Sequence, residues 1–282
     1  MMLAPQASDK AGHLVINDVV KVYSTKREKL MAVDHCSLDI KPGEICMIVG
    51  PSGCGKTSLL NAVAGFHDIT SGSITLDGKV LCDASRLQAV PGSDRVVVFQ
   101  NGALFPWKTI LDNLTFGPLM QGTLNRGQAV DKARLLLTQA GLSGCEDNYP
   151  SEISSGMRRR AEIARALMNN PAVLLLDEPY RALDALTRSV MHEALLALHQ
   201  TNPVTIMFIT HDLEEAVFLG HRVVVMSARP CRPRLSLDID IPFPRTKEVL
   251  TSKRYREYVE TALDAVHEEA KASFASGERE GS

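Results

Sequence analysis

An eight-residue loop, Gly50-Pro51-Ser52-Gly53-Cys54-Gly55-Lys56-Thr57, restricts the fold of this chain more than any other feature. It follows EICMIVG (44–50), a nearly continuous apolar run of the kind found in a central parallel strand buried on both faces. It precedes SLLNAVAGF (58–66), in which Leu59, Leu60, Val63 and Ala64 recur at helical spacing. The loop fits G-x-x-x-x-G-K-[ST]. Its glycines let the backbone curl until successive N–H groups point at one anion, and the helix behind it adds its positive end. In that setting Lys56 reaches terminal phosphates and the Thr57 hydroxyl ligates Mg²⁺. Gly50, Pro51, Ser52, Gly53, Cys54, Gly55, Lys56, Thr57 and Ser58 are therefore the candidate nucleotide-contacting set.

The rest of the chain supplies a sheet around this unit. LVINDVVKVY (14–23) and CSLDI (36–40) read as half-buried strands separated by the polar STKREK (24–29), and SGSITLDGKVL (71–81) reads as a hairpin turning near Asp77-Gly78. RVVVFQ (95–100), VLLLDEP (173–179), TIMFITH (205–211) and RVVVMS (222–227) are apolar strands with helical texture between them, which predicts a parallel α/β sheet. A helical insert from about 104 to 170 separates its halves. Residues 1–12 read as a floppy leader. Beyond Pro244, Tyr255, Tyr258, Val259, Ala262, Leu263 and Val266 recur at three- and four-residue steps, which predicts an amphipathic helix. That helix either packs on the protein's own surface or serves a partner; the final SGEREGS (276–282) reads as disordered. The expected organisation is one nucleotide-binding unit over 13–244 and a helical extension over 245–282.

Composition excludes several functions. Thirty-one Lys and Arg against 33 Asp and Glu give a net charge of −2, with no basic excess to propose nucleic acid as the partner. No apolar run approaches the roughly 18 residues of a membrane span, and the N-terminus lacks a secretory signal pattern. The six cysteines form no Cys-x-x-Cys pair, as expected of a reduced cytosolic protein without a zinc site. The run 173–176 ends in Asp177-Glu178, two carboxylates at the strand edge where α/β sheets bind ligands. Asp177 is placed to hold Mg²⁺ and Glu178 to polarise an attacking water.

With these motifs in hand, residues from Leu14 to about Arg234 resemble the ATP-binding subunit of an ABC transporter. Gln100 in VVVFQNGALFPW matches the Q-loop, THD (210–212) the switch-histidine motif with His211, and Arg181-Ala182-Leu183-Asp184 the D-loop. Tyr23 occupies the place of the aromatic that stacks on adenine; the lesser alternative for a tyrosine at a strand end is a core residue. SEISSGMRRRAEIARAL (151–167) resembles the family signature. FQNGALFPWKTILDNLTFG (99–117) and FITHDLEEAVFLGHRVVVMSARP (208–230) are similar to the ATPases of nitrate, sulfonate and taurine importers.

The resemblance implies a P-loop core with an N-terminal antiparallel β part, and a head-to-tail dimer with ATP between one subunit's loop and the other's Ser154, Gly156 and Asp184. Lys56 would neutralise phosphate, and Thr57, Gln100 and Asp177 would serve Mg²⁺. Glu178 would be the general base and His211 the γ-phosphate contact. Implied partners are membrane permease subunits, through them a periplasmic solute-binding protein, and a second ATPase subunit. The implied location is the cytoplasmic face of the inner membrane. Alternative readings are a degenerate, regulatory nucleotide-binding subunit and a soluble ABC ATPase without a permease.

Three residues depart from the family pattern. Ser155 replaces the first signature glycine, adding either a hydrogen-bond donor or unwanted bulk. Glu162 stands where a small apolar residue is common, and Arg181 where a small residue precedes Ala-Leu-Asp. The run Arg158-Arg159-Arg160 is expected to be a solvated helix face.

Overall fold

The computed structural model describes residues 11–24, 29–83, 85 and 90–275. Two sheets carry the chain. The first is antiparallel, built from β1 (Leu14–Ser24), β2 (Lys29–Ile40), β4 (Ser71–Leu76) and β5 (Lys79–Asp83) in the order β2-β1-β4-β5. Asp77 and Gly78 join β4 to β5 with φ of 51° and 76°, the left-handed pair that a two-residue hairpin turn requires. β2 is longer than the segment 36–40 predicted for it, because pairing with β1 continues through Tyr23↔Leu30 to Ser24↔Lys29. Of the predicted polar connection, 25–28 lie outside the described residues.

The second sheet has the order β10-β9-β3-β8-β7-β6, with β3 (Ile45–Val49), β6 (Arg95–Val98), β7 (Val173–Asp177), β8 (Thr205–Ile209) and β9 (Arg222–Met226) parallel. The strand β10 (Pro233–Asp238) runs antiparallel at the edge. It was not anticipated; its only signal is the alternation of half-buried Leu235 and Leu237 with exposed neighbours.

Both faces of this sheet are buried, and strand alternation divides the core. Ile45, Met47, Val49, Leu174 and Leu176 face one cluster, which holds the later helices. Cys46, Ile48, Val173 and Leu175 face the other, filled by Leu59, Leu60 and Val63 of α1 (Lys56–Ala64) and by the antiparallel sheet. The insert comprises α2 (Ile110–Met120), α3 (Arg126–Gln139) and α4 (Ser155–Leu167); α3 opens on an Asn125/Gln128 capping box. After β7 come α5 (Ala185–Thr201) and α6 (Leu213–Leu219).

The C-terminal α7 (Lys253–Ala275) packs on the protein's own core. Tyr255 and Ala262 are buried, while Tyr258, Val259 and Val266 lie against the cluster. The Tyr255 hydroxyl donates to the Glu214 carbonyl at 2.9 Å. Leu263 is a correction: it is 52% exposed, because a position eight residues past Tyr255 stands about 80° around the helix from it. Residues 276–282, read as disordered, lie outside the described residues, as do 1–10 of the expected leader. Its last residue is not floppy. Gly12 is buried, donates to the Ala172 carbonyl at 2.9 Å and accepts from Thr205 Oγ1 at 2.5 Å.

Candidate active site

The site lies at the C-terminal edge of β3, β8 and β7, three neighbours in the sheet that come from distant parts of the chain. The loop after β3 turns on Gly50, Gly53 and Gly55, with φ of 154°, 72° and 123°. At Gly55 a Cβ would fall 2.1 Å from the Ala32 carbonyl oxygen, so the loop passes under the antiparallel sheet with no room for a side chain. Arg229 grips the loop from the far end of the sequence, its Nη2 donating to the Gly53 carbonyl at 2.7 Å.

Pro51 and Ser52 complete the turn, and Ser58 follows in the first turn of α1. Lys56 is 6% exposed, and its Nζ donates to the carbonyls of Gly50 and Pro51 at 2.8 and 2.7 Å. The ammonium is thus held inside the loop's curl by groups that an anion can replace. Cys54, a buried residue of the loop, is hydrogen-bonded to the Cys231 thiol; that bond and the nearby ammonium pull it below the ordinary thiol range against the effect of burial.

Two carboxylates converge on the same edge. Thr57 Oγ1 donates to Asp177 Oδ1 at 3.3 Å, and burial raises the Asp177 carboxyl above its ordinary range while that hydrogen bond opposes the rise. The Thr57 hydroxyl and the Asp177 carboxylate are hard oxygen donors a few ångströms apart, a set that suits Mg²⁺. Glu178 has φ of +46°, a strained setting for a non-glycine residue that turns its side chain away from the β7 alternation. Its Oε2 accepts from Arg181 Nη1 at 3.1 Å and lies 3.7 Å from Nδ1 of the half-exposed His211. Arg181, which opens the D-loop match as a departure from the family pattern, therefore touches the candidate base.

Gln100 is exposed just beyond β6, next to β7 in the sheet. Tyr23 is half-buried at the end of β1, its ring edge-on to His67 at 6.0 Å and 4.8 Å from the Lys21 ammonium.

The signature residues stand apart from this group: among the described residues no hydrogen bond joins Ser154 or Gly156 to the loop. Ser154 caps α4, accepting from Met157 N at 3.2 Å and keeping its own hydroxyl proton to donate. Gly156 lies against α5, where a Cβ would come within 2.8 Å of Thr187 Cγ2. Asp184 caps α5, and the Thr187 N–H and hydroxyl bonded to it lower its carboxyl pKa. Ser155 is exposed and its φ is not positive, so the backbone of this chain does not demand a glycine there.

The arginine run is not a solvated face. Arg158 donates to the carbonyls of Pro150 and Ile153, and Arg160 to those of Ala140 and Gly141. Arg159 and Glu162 are buried and paired with each other, and between them they bond three backbone groups. Each guanidinium staples a chain turn that would otherwise leave carbonyls without donors.

The family model described as "ABC transporter" matches residues 33–181. This chain belongs to the ABC transporter family. Its relatives include an uncharacterized ABC transporter ATP-binding protein of Methanocaldococcus jannaschii, 38% identical over 93% of this chain and 94% of that protein. The nitrate import ATP-binding protein of Synechocystis sp. is 42% identical over 82% of this chain and 84% of its own. The taurine import ATP-binding protein of Rhizobium johnstonii is 42% identical over 81% and 85%. Among solved structures, a dimeric bacterial ABC transporter cassette superposes with a TM-score of 0.68 at 27% identity, covering 81% of this chain and all of that one. As an ABC cassette, the chain has the P-loop α/β fold with an antiparallel β part expected from its sequence, and it is an ATPase.

Proposed function

We propose that this chain is the ATP-hydrolysing subunit of a bacterial importer for a small solute of the nitrate, sulfonate or taurine type. It would work as a head-to-tail pair on membrane permease subunits that receive solute from a periplasmic binding protein. The observation that carries the reading is the cluster of Lys56, Thr57–Asp177 and Glu178–His211 on adjacent strand edges of one rigid sheet. The relatives whose names include import of nitrate and taurine support the solute class. Among the described residues no helix is long and apolar enough to cross a membrane, so attachment to the inner-membrane face would run through the permease.

In this reading the loop amides and Lys56 bind the β- and γ-phosphates as the ammonium leaves the Gly50 and Pro51 carbonyls. Thr57, Asp177 and Gln100 would hold Mg²⁺, which neutralises charge that develops on the phosphates. Tyr23 offers its ring face to adenine. Glu178 accepts the proton of the attacking water, and His211 donates to the γ-phosphate. Ser154, Gly156 and Asp184 contact the nucleotide of the opposing subunit. Catalysis is mainly positioning and electrostatics, as in phosphoryl transfer generally. The cluster of Lys56, Thr57, Asp177, Glu178 and His211 supports an active rather than a regulatory subunit, and the relatives named for nitrate and taurine import support a transporter rather than a permease-free ATPase.

The test is Glu178→Gln, expected to keep ATP binding and lose turnover by about a thousandfold. Near-normal hydrolysis in that variant would refute Glu178 as the base. Purification of the tagged variant from detergent-solubilised host membranes with ATP should also yield a polytopic permease. A catch containing only soluble proteins would remove the importer claim.

A further inference from the structure

The segment that follows β6 is held in an unusual way. Within five residues, two carbonyls and one amide are bound by a single ion pair on α4. Arg159 Nη1 donates to the Phe99 carbonyl at 2.8 Å and Nη2 to the Gln100 carbonyl at 2.6 Å. Arg159 Nη1 also meets Glu162 Oε2 at 2.7 Å, and Glu162 Oε1 accepts from Ala103 N at 2.8 Å. Both side chains are more than nine-tenths buried.

Gly102 lies so close that a Cβ there would sit 2.9 Å from Glu162 Oε1. The pair forms one wall of a cleft of about 380 Å³ shared with Gln100, Ser155 and Leu183. Burying two charges is costly unless their geometry does something a hydrophobic pair could not. Here the charges bracket Gln100 from both sides.

We propose that Arg159 and Glu162 are positioning residues for Gln100, fixing the backbone of residues 99–103 so that the Gln100 side chain meets the metal held by Thr57 and Asp177. The proposal rests on the reading of Gln100 as a Mg²⁺ ligand given above. Neither residue touches nucleotide or metal. They act through the loop, as outer groups that orient metal ligands generally do. Gln100 is exposed on a connecting segment, and such a segment samples many backbone states unless its polar groups are tied. The Arg159–Glu162 pair supplies those ties and at the same time joins Gln100 to the helix that Ser154 caps.

The experiment uses the purified full chain with a non-hydrolysable ATP analogue, and reads Mn²⁺ affinity by electron paramagnetic resonance. Arg159→Gln/Glu162→Gln removes both charges together and leaves no buried ion unpaired. It is expected to keep the metal-free affinity for the analogue within about twofold and to weaken Mn²⁺ binding about tenfold. Gln100→Ala should weaken it by a similar factor, and the triple variant should be no weaker than Gln100→Ala alone. Arg159→Met/Glu162→Met, which removes the charges and the ties together and fills the same space, gives the same readout if the Gln double variant does not fold.

Unchanged Mn²⁺ affinity in the charge-neutral variants, with a loss in Gln100→Ala, overturns the proposal and leaves the metal role of Gln100 standing. Losses that add in the triple variant also overturn it, because the pair then acts independently of Gln100. No loss in Gln100→Ala overturns both this proposal and the metal role.

Discussion

Replacing Arg245 by methionine tests how the end of the chain is tied to the core. The guanidinium is 3% exposed and has no carboxylate partner among the described residues; instead it donates to five backbone carbonyls. Those of Val217, Phe218 and Gly220 are the orphan acceptors at the C-terminus of α6, where a cation also meets the negative end of the helix. The other two, Ile239 and Ile241, lie on the segment that leads to α7. Burial lowers the Arg245 pKa to about 10, so the group stays charged at neutral pH.

Methionine fills the space and donates nothing. A buried carbonyl left without a partner costs about 1–3 kcal/mol, and release of the buried charge offsets part of the sum, which gives a net loss of about 3–4 kcal/mol. With a urea slope of about 2–3 kcal/mol per molar, the unfolding midpoint should fall by roughly 1–2 M. Arg245→Lys, which keeps the charge without the planar fork, should lie between the two. Equilibrium unfolding followed by circular dichroism and by Trp107 fluorescence measures this, and coincidence of the two curves shows that a single transition is being read. A methionine variant within 0.3 M of the parent (about the error of such a midpoint) would refute the view that these carbonyl bonds stabilise the fold.

Three further outcomes follow from geometry already given. Gly55→Ala places a Cβ against the Ala32 carbonyl at a φ of +123°, so binding of a fluorescent ATP analogue should fall by at least about a hundredfold; binding within threefold of the parent would mean the loop re-forms around a side chain. Ser155→Gly should change the ATPase rate by less than about threefold, because the exposed serine is under no backbone strain; a rise of tenfold or more in a steady-state assay would revive the regulatory reading. His221 is held neutral, with Nδ1 accepting from Ile45 N at 3.0 Å and its pKa lowered to about 4 by burial and then by His199 and Arg245. The unfolded state then binds the extra proton between about pH 6.5 and 4, so stability should fall as pH drops through that window. His221→Asn, which keeps an acceptor for Ile45, should flatten the loss; an unchanged pH profile would count against it.

The strand–loop–helix unit, the acidic strand end and the hairpin at Asp77-Gly78 were legible because each is written in a few adjacent residues with one local solution. Other features were invisible for the opposite reason. Arg229 meets Gly53 across 176 positions and Arg245 meets Val217 across 28, and nothing near either arginine marks it as buried. The arginine run misled because charge on a helix usually faces water, whereas these guanidiniums cap carbonyls of neighbouring turns. Glu162 could be found in sequence only as an oddity; its meaning needs Arg159 one turn earlier and the loop packed against both. Leu263 shows the same limit on a smaller scale, since a stripe read from spacing does not say where the core stops.

The Thr57–Asp177 contact spans 120 positions, and β8 lies between the strands that carry its two halves. A nucleotide therefore finds its seat only after β3, β8 and β7 have assembled, and the unfolded chain has nothing comparable to offer. Free energy of binding is then also free energy of folding: ATP at a thousand times its dissociation constant adds about 4 kcal/mol to stability. That is comparable to the whole loss expected from Arg245→Met. The substrate doubles as a folding ligand, and a chain weakened far from the site should be restored by raising the nucleotide concentration alone.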